Sequence, residues 1–316
     1  MTQELIILEN LTKRFNGITA VNNISLQVRK KQVLGFLGPN GAGKSTTMKM
    51  IAGFLEPSSG TVIVDGYNIV DNPVEVKSRI GYLPEGAPSY GDMTTFSFLD
   101  FVAEIRGYEG KIKRRCVEQV VDQVELGAVL FQRIDTLSKG FRRRVGLAQA
   151  MMHDPQVLIL DEPTDGLDPN QKHQVRSLIN EMAKSKAIIV STHILEEVEA
   201  VCTDAVIIAD GLLLEKGTPE ELISHDPNHN SVVVRVHKKN AESVCKELKL
   251  LGHVSEVDEI EKRRNQVLFR IQLKKKAQSL VQVNTLIREK KLSIEEVYSE
   301  KGALDKVFRQ ITNSKD

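Results

Sequence analysis

Residues 38–46 (GPNGAGKST) constrain this chain more than any other stretch, because they satisfy the pattern G-x-x-x-x-G-K-[ST] at every fixed position. The apolar run just before, 33–37 (VLGFL), reads as a short buried strand, and 47–52 continues as a helix. Strand, glycine loop and helix therefore come in the order the pattern requires. The bland alternative, a glycine-rich turn before a helix, needs a coincidence that average residue usage produces in about one chain in a hundred of this length. Gly38, Gly41 and Gly43 let the backbone turn tightly, so that successive amide hydrogens of the cradle formed by Gly38, Pro39, Asn40, Gly41, Ala42, Gly43, Lys44, Ser45 and Thr46, Pro39 having none, face one anion at the positive helix end. Lys44 would reach the β- and γ-phosphates, and the Ser45 hydroxyl would ligate Mg²⁺. The sequence thus predicts a nucleoside triphosphate site.

At 316 residues the chain exceeds one compact domain, which predicts a large domain and a smaller one. A net charge of +1 gives no reason to expect a nucleic-acid partner or a polybasic membrane anchor. Cys116, Cys202 and Cys245 lie far apart without metal-ligand or redox spacing, which fits small apolar residues in a reducing compartment. The start, MTQELIILEN, has no leader pattern, and no apolar run approaches the roughly 18 to 20 residues that span a bilayer. A cytoplasmic protein is expected, with any membrane task left to another polypeptide.

Residues 1–224 alternate strand-like runs (5–8, 24–28, 33–37, 157–160, 188–190, 205–209) with helical patterns, several runs being apolar on both faces as in a covered parallel sheet. Between about 94 and 152 the strand signal stops. There Phe98, Phe101, Val102 and Ile105, then Val117, Val120, Val121 and Val124, recur at helical spacing, which predicts an all-helical insertion. The polar segment 225–230 is expected to be a solvated linker. Beyond it, in 231–316, Val232, Val234 and Val236 alternate, as do Val267, Phe269, Ile271 and Leu273, while Leu280, Val283, Leu286 and Ile287 are helically spaced. This predicts a small α+β module ending in a helix with the stripe Leu304, Val307, Phe308 and Ile311. The basic runs 262–264 and 274–276 read as solvated edges or turns.

A second nucleotide element is 157–162 (VLILDE), an apolar strand ending in two carboxylates at the edge where α/β sheets bind ligands. Asp161 suits a Mg²⁺ shell, and Glu162 is placed to polarise a water for attack on the γ-phosphate. With this element the chain resembles the ATP-binding cassette (ABC) family over residues 5 to about 220. Residues 137–141 (LSKGF) resemble that family's signature LSGGQ, keeping Leu, Ser and the second Gly but departing at the third and fifth positions. The resemblance implies that Ser138 and Gly140 cap an ATP held by a second copy of the chain, two nucleotides being sandwiched between head-to-tail copies. It implies further that 166–168 (GLD), with Asp168, form the loop linking the two sites, that His193 contacts the γ-phosphate, and that Phe15 stacks on adenine. Glu85, in 81–85 (GYLPE), stands where most members have a glutamine that touches Mg²⁺ and the transport partner. A carboxylate there still offers oxygen to Mg²⁺ but adds negative charge and cannot donate, so an altered metal dependence is expected.

The fold expected is α/β: a P-loop NTPase of the ABC ATPase type with a β-rich N-terminal part and an all-helical insertion, plus the α+β module. The GYLPE and LSKG variants, and 294–298 (IEEVY) followed by an amphipathic helix, resemble the exporter ATPases that serve multidrug, sodium, gliding-motility or polysaccharide permeases. The resemblance implies an ATP- and Mg²⁺-dependent ATPase, dimerising on ATP, driving a multi-span permease and held through it at the inner face of the cell membrane. An ABC ATPase acting on ribosomes, nucleic acid or cluster assembly is the alternative; such members usually carry two cassettes or long coiled coils, and neither pattern is visible. An ATP sensor without turnover is disfavoured by Glu162 and His193 together.

Overall fold

The computed structural model describes residues 3–86, 89–250, 254–273 and 279–313, and the chain divides into two compact units, 1–219 and 220–316. In the first unit, β1 (Glu4–Phe15), β2 (Ile18–Arg29) and β3 (Val33–Leu37) lead into helix α1 (Lys44–Ile51), followed by β4 (Ser59–Val64), β5 (Tyr67–Asn68), α2 (Pro73–Arg79) and β6 (Ile80–Leu83). Three helices come next, α3 (Thr95–Ile105), α4 (Gly110–Gln123) and α5 (Lys139–Met151). The unit closes with β7 (Val157–Asp161), α6 (Pro169–Ala183), β8 (Ala187–Thr192), α7 (Leu195–Val201), β9 (Asp204–Ala209) and β10 (Leu212–Gly217).

Two sheets organise it. An antiparallel sheet runs β2-β1-β4-β5, and a six-stranded sheet runs β10-β9-β3-β8-β7-β6, parallel except at β10. Every residue of β3, β7 and β8 is buried, the signature of strands covered on both faces. Each large aliphatic side chain so removed from water contributes about 1.5–3 kcal/mol. Because β3, β7 and β8 are parallel and in register, with Leu37 beside Thr192 and Asp161 beside Ser191, their C-terminal ends deliver the loops after residues 37, 161 and 192 to one sheet edge.

Among the described residues 94–152 hold no strand, only an isolated bridge between Thr94 and Arg133. The Thr94 hydroxyl caps α3 by accepting from the Ser97 amide at 3.1 Å. Phe98, Leu99 and Val102 are buried, but Phe101 and Ile105, expected on the same stripe, stay 37% and 68% exposed. The buried face of α3 is narrower than its apolar spacing suggested, because the surface it packs against, not the helix's own periodicity, sets how far burial extends. No helix among the described residues is long and apolar enough to cross a membrane.

The second unit begins in α8 (Pro219–Ile223) and continues as β11 (Val232–His237), α9 (Ala241–Lys249), β12 (Val254–Lys262), β13 (Gln266–Leu273), α10 (Ser279–Glu289), β14 (Glu296–Ser299) and α11 (Leu304–Asn313). Its antiparallel sheet is ordered β12-β13-β11-β14, the split β-α-β-β-α-β arrangement of ferredoxin-like folds. Val232, Val234 and Val236 pair directly with Ile271, Phe269 and Val267, and these residues share a core with Val244, Leu248 and Val283 of α9 and α10.

The segment 225–230 is not a solvated linker but part of this unit. Asp226 is fully buried and its carboxylate accepts from the amides of Asn228 and Ala303, both at 2.9 Å, while His229 Nδ1 accepts from the Gly302 amide at 3.2 Å. Turn-forming polar residues mark a linker only when their polar groups face water; here they satisfy backbone donors of 302–303 instead. The boundary falls at 219/220. The basic run 274–276 lies outside the described residues.

Candidate nucleotide-binding site

The loop after β3 owes its shape to three glycines. Gly41 and Gly43 take φ of 83° and 102°, and a Cβ on Gly43 would stand 2.5 Å from the Ala20 carbonyl oxygen, so a side chain fits neither the conformation nor the space. No side chain caps α1, which leaves its first amides open toward an anion. Lys44 is 6% exposed, and its Nζ donates to the carbonyls of Gly38 at 2.7 Å and Pro39 at 3.1 Å. Burial pushes its ammonium below the ordinary lysine range, opposed by the negative charges of Glu162, Asp161 and Glu85.

The carboxylates stand opposite. Asp161 Oδ1 accepts from Ser45 Oγ at 3.3 Å and from Ser191 Oγ, whereas Oδ2 is buried with no hydrogen-bond partner. A buried, unsatisfied carboxylate oxygen beside a serine hydroxyl suits a hard divalent cation, and Mg²⁺ needs few protein ligands because it keeps waters and phosphate oxygens. These residues fit the ion.

Glu162 follows at φ 51°, a left-handed conformation held by its amide donating to Ser191 Oγ at 3.1 Å and by its carbonyl accepting from Arg143 Nη2. Its carboxylate oxygens lie 3.0 and 2.9 Å from His193 Nδ1. Burial raises the Glu162 carboxyl above its usual range, with the His193 hydrogen bond pulling the other way. A cavity of about 440 Å³ is lined by residues 40–46 together with Ala20, Glu85, Glu162, Asp165 and His193. The loop 40–46, Glu85 and the Glu162–His193 pair thus line one cleft, and Asp161 is hydrogen-bonded to Ser45 of that lining.

A family model described as ABC transporter matches residues 21–165. An uncharacterised ABC transporter ATP-binding protein of Bacillus subtilis, YxlF, is 38% identical over 221 residues, spanning 69% of this chain and 72% of that protein. The chain belongs to the ABC transporter ATP-binding family. Nod factor export ATP-binding protein I of Ralstonia nicotianae is 34% identical over 226 residues, 70% of each protein. A solved ATP-binding subunit of an ABC transporter superposes with a TM-score of 0.64 at 29% identity, covering 70% of this chain and 92% of that one.

Not every residue the ABC resemblance named lines this cavity. Ser138 caps α5, its hydroxyl accepting from the Phe141 amide at 3.3 Å, and Asp168 caps α6 by accepting from Gln171 at 2.9 Å. Gly140 packs so tightly under Gln171 that an added Cβ would come 2.6 Å from its Cδ. Phe15 ends β1 at 43% exposure, with the Lys13 ammonium 5.2 Å from its ring centroid. Conversely, sequence reasoning missed Ser191, Asp165 and Arg143. Ser191 could have been suspected from its place at the end of β8, two residues before His193. Arg143 gave no such signal, being one of three successive arginines of which the structure buries 143 and 144.

Proposed function

We propose that this chain binds and hydrolyses ATP with Mg²⁺ as a head-to-tail homodimer, and that the cycle drives a separate membrane permease, in the direction of export. The observation that carries the reading is the Glu162–His193 pair on the wall of the same cavity as Lys44 and Ser45, with Asp161 buried behind Ser45 and hydrogen-bonded to it. Lys44 leaves the Gly38 and Pro39 carbonyls to meet the β- and γ-phosphates, a short move because those carbonyls belong to the cradle itself. Ser45 and Asp161 hold Mg²⁺, which supplies positive charge against the phosphate oxygens when bound. Glu162 takes a proton from the attacking water; burial favours its neutral form and so makes the carboxylate a stronger base than one in water. His193 fixes the orientation of that carboxylate through Nδ1. In the closed dimer Ser138, Gly140 and Asp168 come from the second copy, and Phe15 stacks on the adenine.

Export is supported by the motif variants and by the relative named for Nod factor export; the cargo belongs to the permease. The reading is tested with purified chain: wild type is expected to release phosphate from ATP with Mg²⁺, and Glu162→Gln to bind ATP, lose at least about a hundredfold in kcat and double in mass by light scattering. A Glu162→Gln protein that stays monomeric with saturating ATP would overturn the dimer. Co-purification of a multi-span membrane protein from detergent extracts tests the permease.

A further inference from the structure

Lys139 stands where the signature LSGGQ has glycine, as the first residue of α5, a position where a cation opposes the positive end of the helix. The structure shows what offsets that penalty. Lys139 Nζ reaches Asp165 Oδ2 at 2.9 Å, and the lysine side chain is 61% exposed. Its stem lies across Gly166, where an added Cβ would stand 2.6 and 2.7 Å from Lys139 Cδ and Cε. Gly140, next along, rests on Gln171. The start of α5 is thus laid along 165–171, directly after Glu162, and Asp165 lines the cavity with Glu162 and His193.

A second cation on the same helix, Arg143, is 4% exposed and donates to the carbonyls of Glu162 and Pro84. The two contacts differ in kind. Arg143 is desolvated and paired with backbone, so it stays. The Lys139–Asp165 pair is solvated and worth little, so a polyanion arriving at the helix start outcompetes Asp165 for the ammonium. While the pair is made, the hydrogen bond from Lys139 holds the Asp165 carboxyl below the usual range.

We propose that Lys139 and Asp165 form a breakable strap between the signature helix and the hydrolytic loop, which opens when a triphosphate reaches the start of α5 and frees residues 162–168 to adjust. Lys139 is then a positioning residue, acting on Glu162 through Asp165. The proposal rests on the reading of the chain as an ATP-hydrolysing sandwich, but the strap itself belongs to the nucleotide-free chain and is measured there.

Hydrogen exchange of the full chain without nucleotide tests it, with Lys139→Met, which keeps the stem and removes the charge, with Asp165→Asn, and with the swap of Lys139→Asp and Asp165→Lys. At low salt each single variant is expected to speed exchange across 162–168 about two- to fivefold, the swap to restore it, and high salt to bring wild type to the single variants' level. With ATP, Lys139→Met should change kcat about two- to fivefold while KM holds. Exchange unchanged in Lys139→Met, or a swap that merely adds the two single effects, overturns the strap. If the exchange pattern appears but wild type releases no phosphate, the strap stands and the hydrolytic reading fails.

Discussion

Glu162 carries a carboxylate largely withdrawn from water on a backbone at φ 51°, and both features bear on its chemistry. The desolvation that raises its pKa disfavours the charged form, so the carboxyl stays protonated to a higher pH than a free glutamate. A protonated carboxyl cannot accept the proton of an attacking water. The acid limb of kcat against pH should therefore lie above the ordinary carboxylate range and move back toward it in a variant that opens the site to solvent; a limb at the ordinary value would remove Glu162 as the base. The sign for stability is opposite. A carboxyl raised in the folded state contributes stability below its unfolded pKa and loses it as pH rises through the folded value, so Glu162→Gln should raise Tm at neutral pH and leave it nearly unchanged in acid. That Lys44, Ser45, Asp161, Glu162 and His193 lie together was legible because each sits in a short run whose pattern depends on neighbours in sequence. Ser191 and Asp165 were not: one binds Asp161 from 30 residues away and the other Lys139 from 26, and spacing along the chain carries no trace of such meetings.

At the level of elements, α5 does more than present Ser138 and Gly140. Arg143 reaches from it to the carbonyls of Glu162 and Pro84, binding the loop after β7 to the loop after β6. Arg143→Met would fill much of the same volume and leave two carbonyls without a donor. It is expected to lower stability by about 2–4 kcal/mol in urea unfolding and to reduce kcat more than KM, since the Glu162 backbone loses a restraint while the phosphate cradle is untouched. A loss below about 0.5 kcal/mol would show that solvent satisfies those carbonyls. Helix and strand types were readable from period, as in the continuous apolar runs of β3, β7 and β8. The width of a buried face was not: Phe101 and Ile105 share the spacing of Phe98 and Val102 yet remain exposed, because the partner surface, not the helix, sets how far burial extends.

For the whole molecule, the cavity-lining residues fall between 20 and 193, and the second unit has a separate core around Val234, Phe269 and Val283. A chain ending at residue 219 is accordingly expected to fold and to bind ATP within about twofold of the full chain, measured by equilibrium titration; a loss of tenfold or more would show that 220–316 shape the site. The phosphate cradle, the strand ending in two carboxylates, the helical insertion and the presence of two units were determined by the amino-acid sequence alone. These depend on local backbone freedom and on which faces are apolar, both properties of short stretches. Tertiary structure alone decided that 225–230 is bound into the second unit, that β11–β14 order as β12-β13-β11-β14, and that Lys139 meets Asp165. Each of these is a pairing between distant segments, chosen by burial and by satisfaction of polar groups across the fold, and no local pattern specifies its partner.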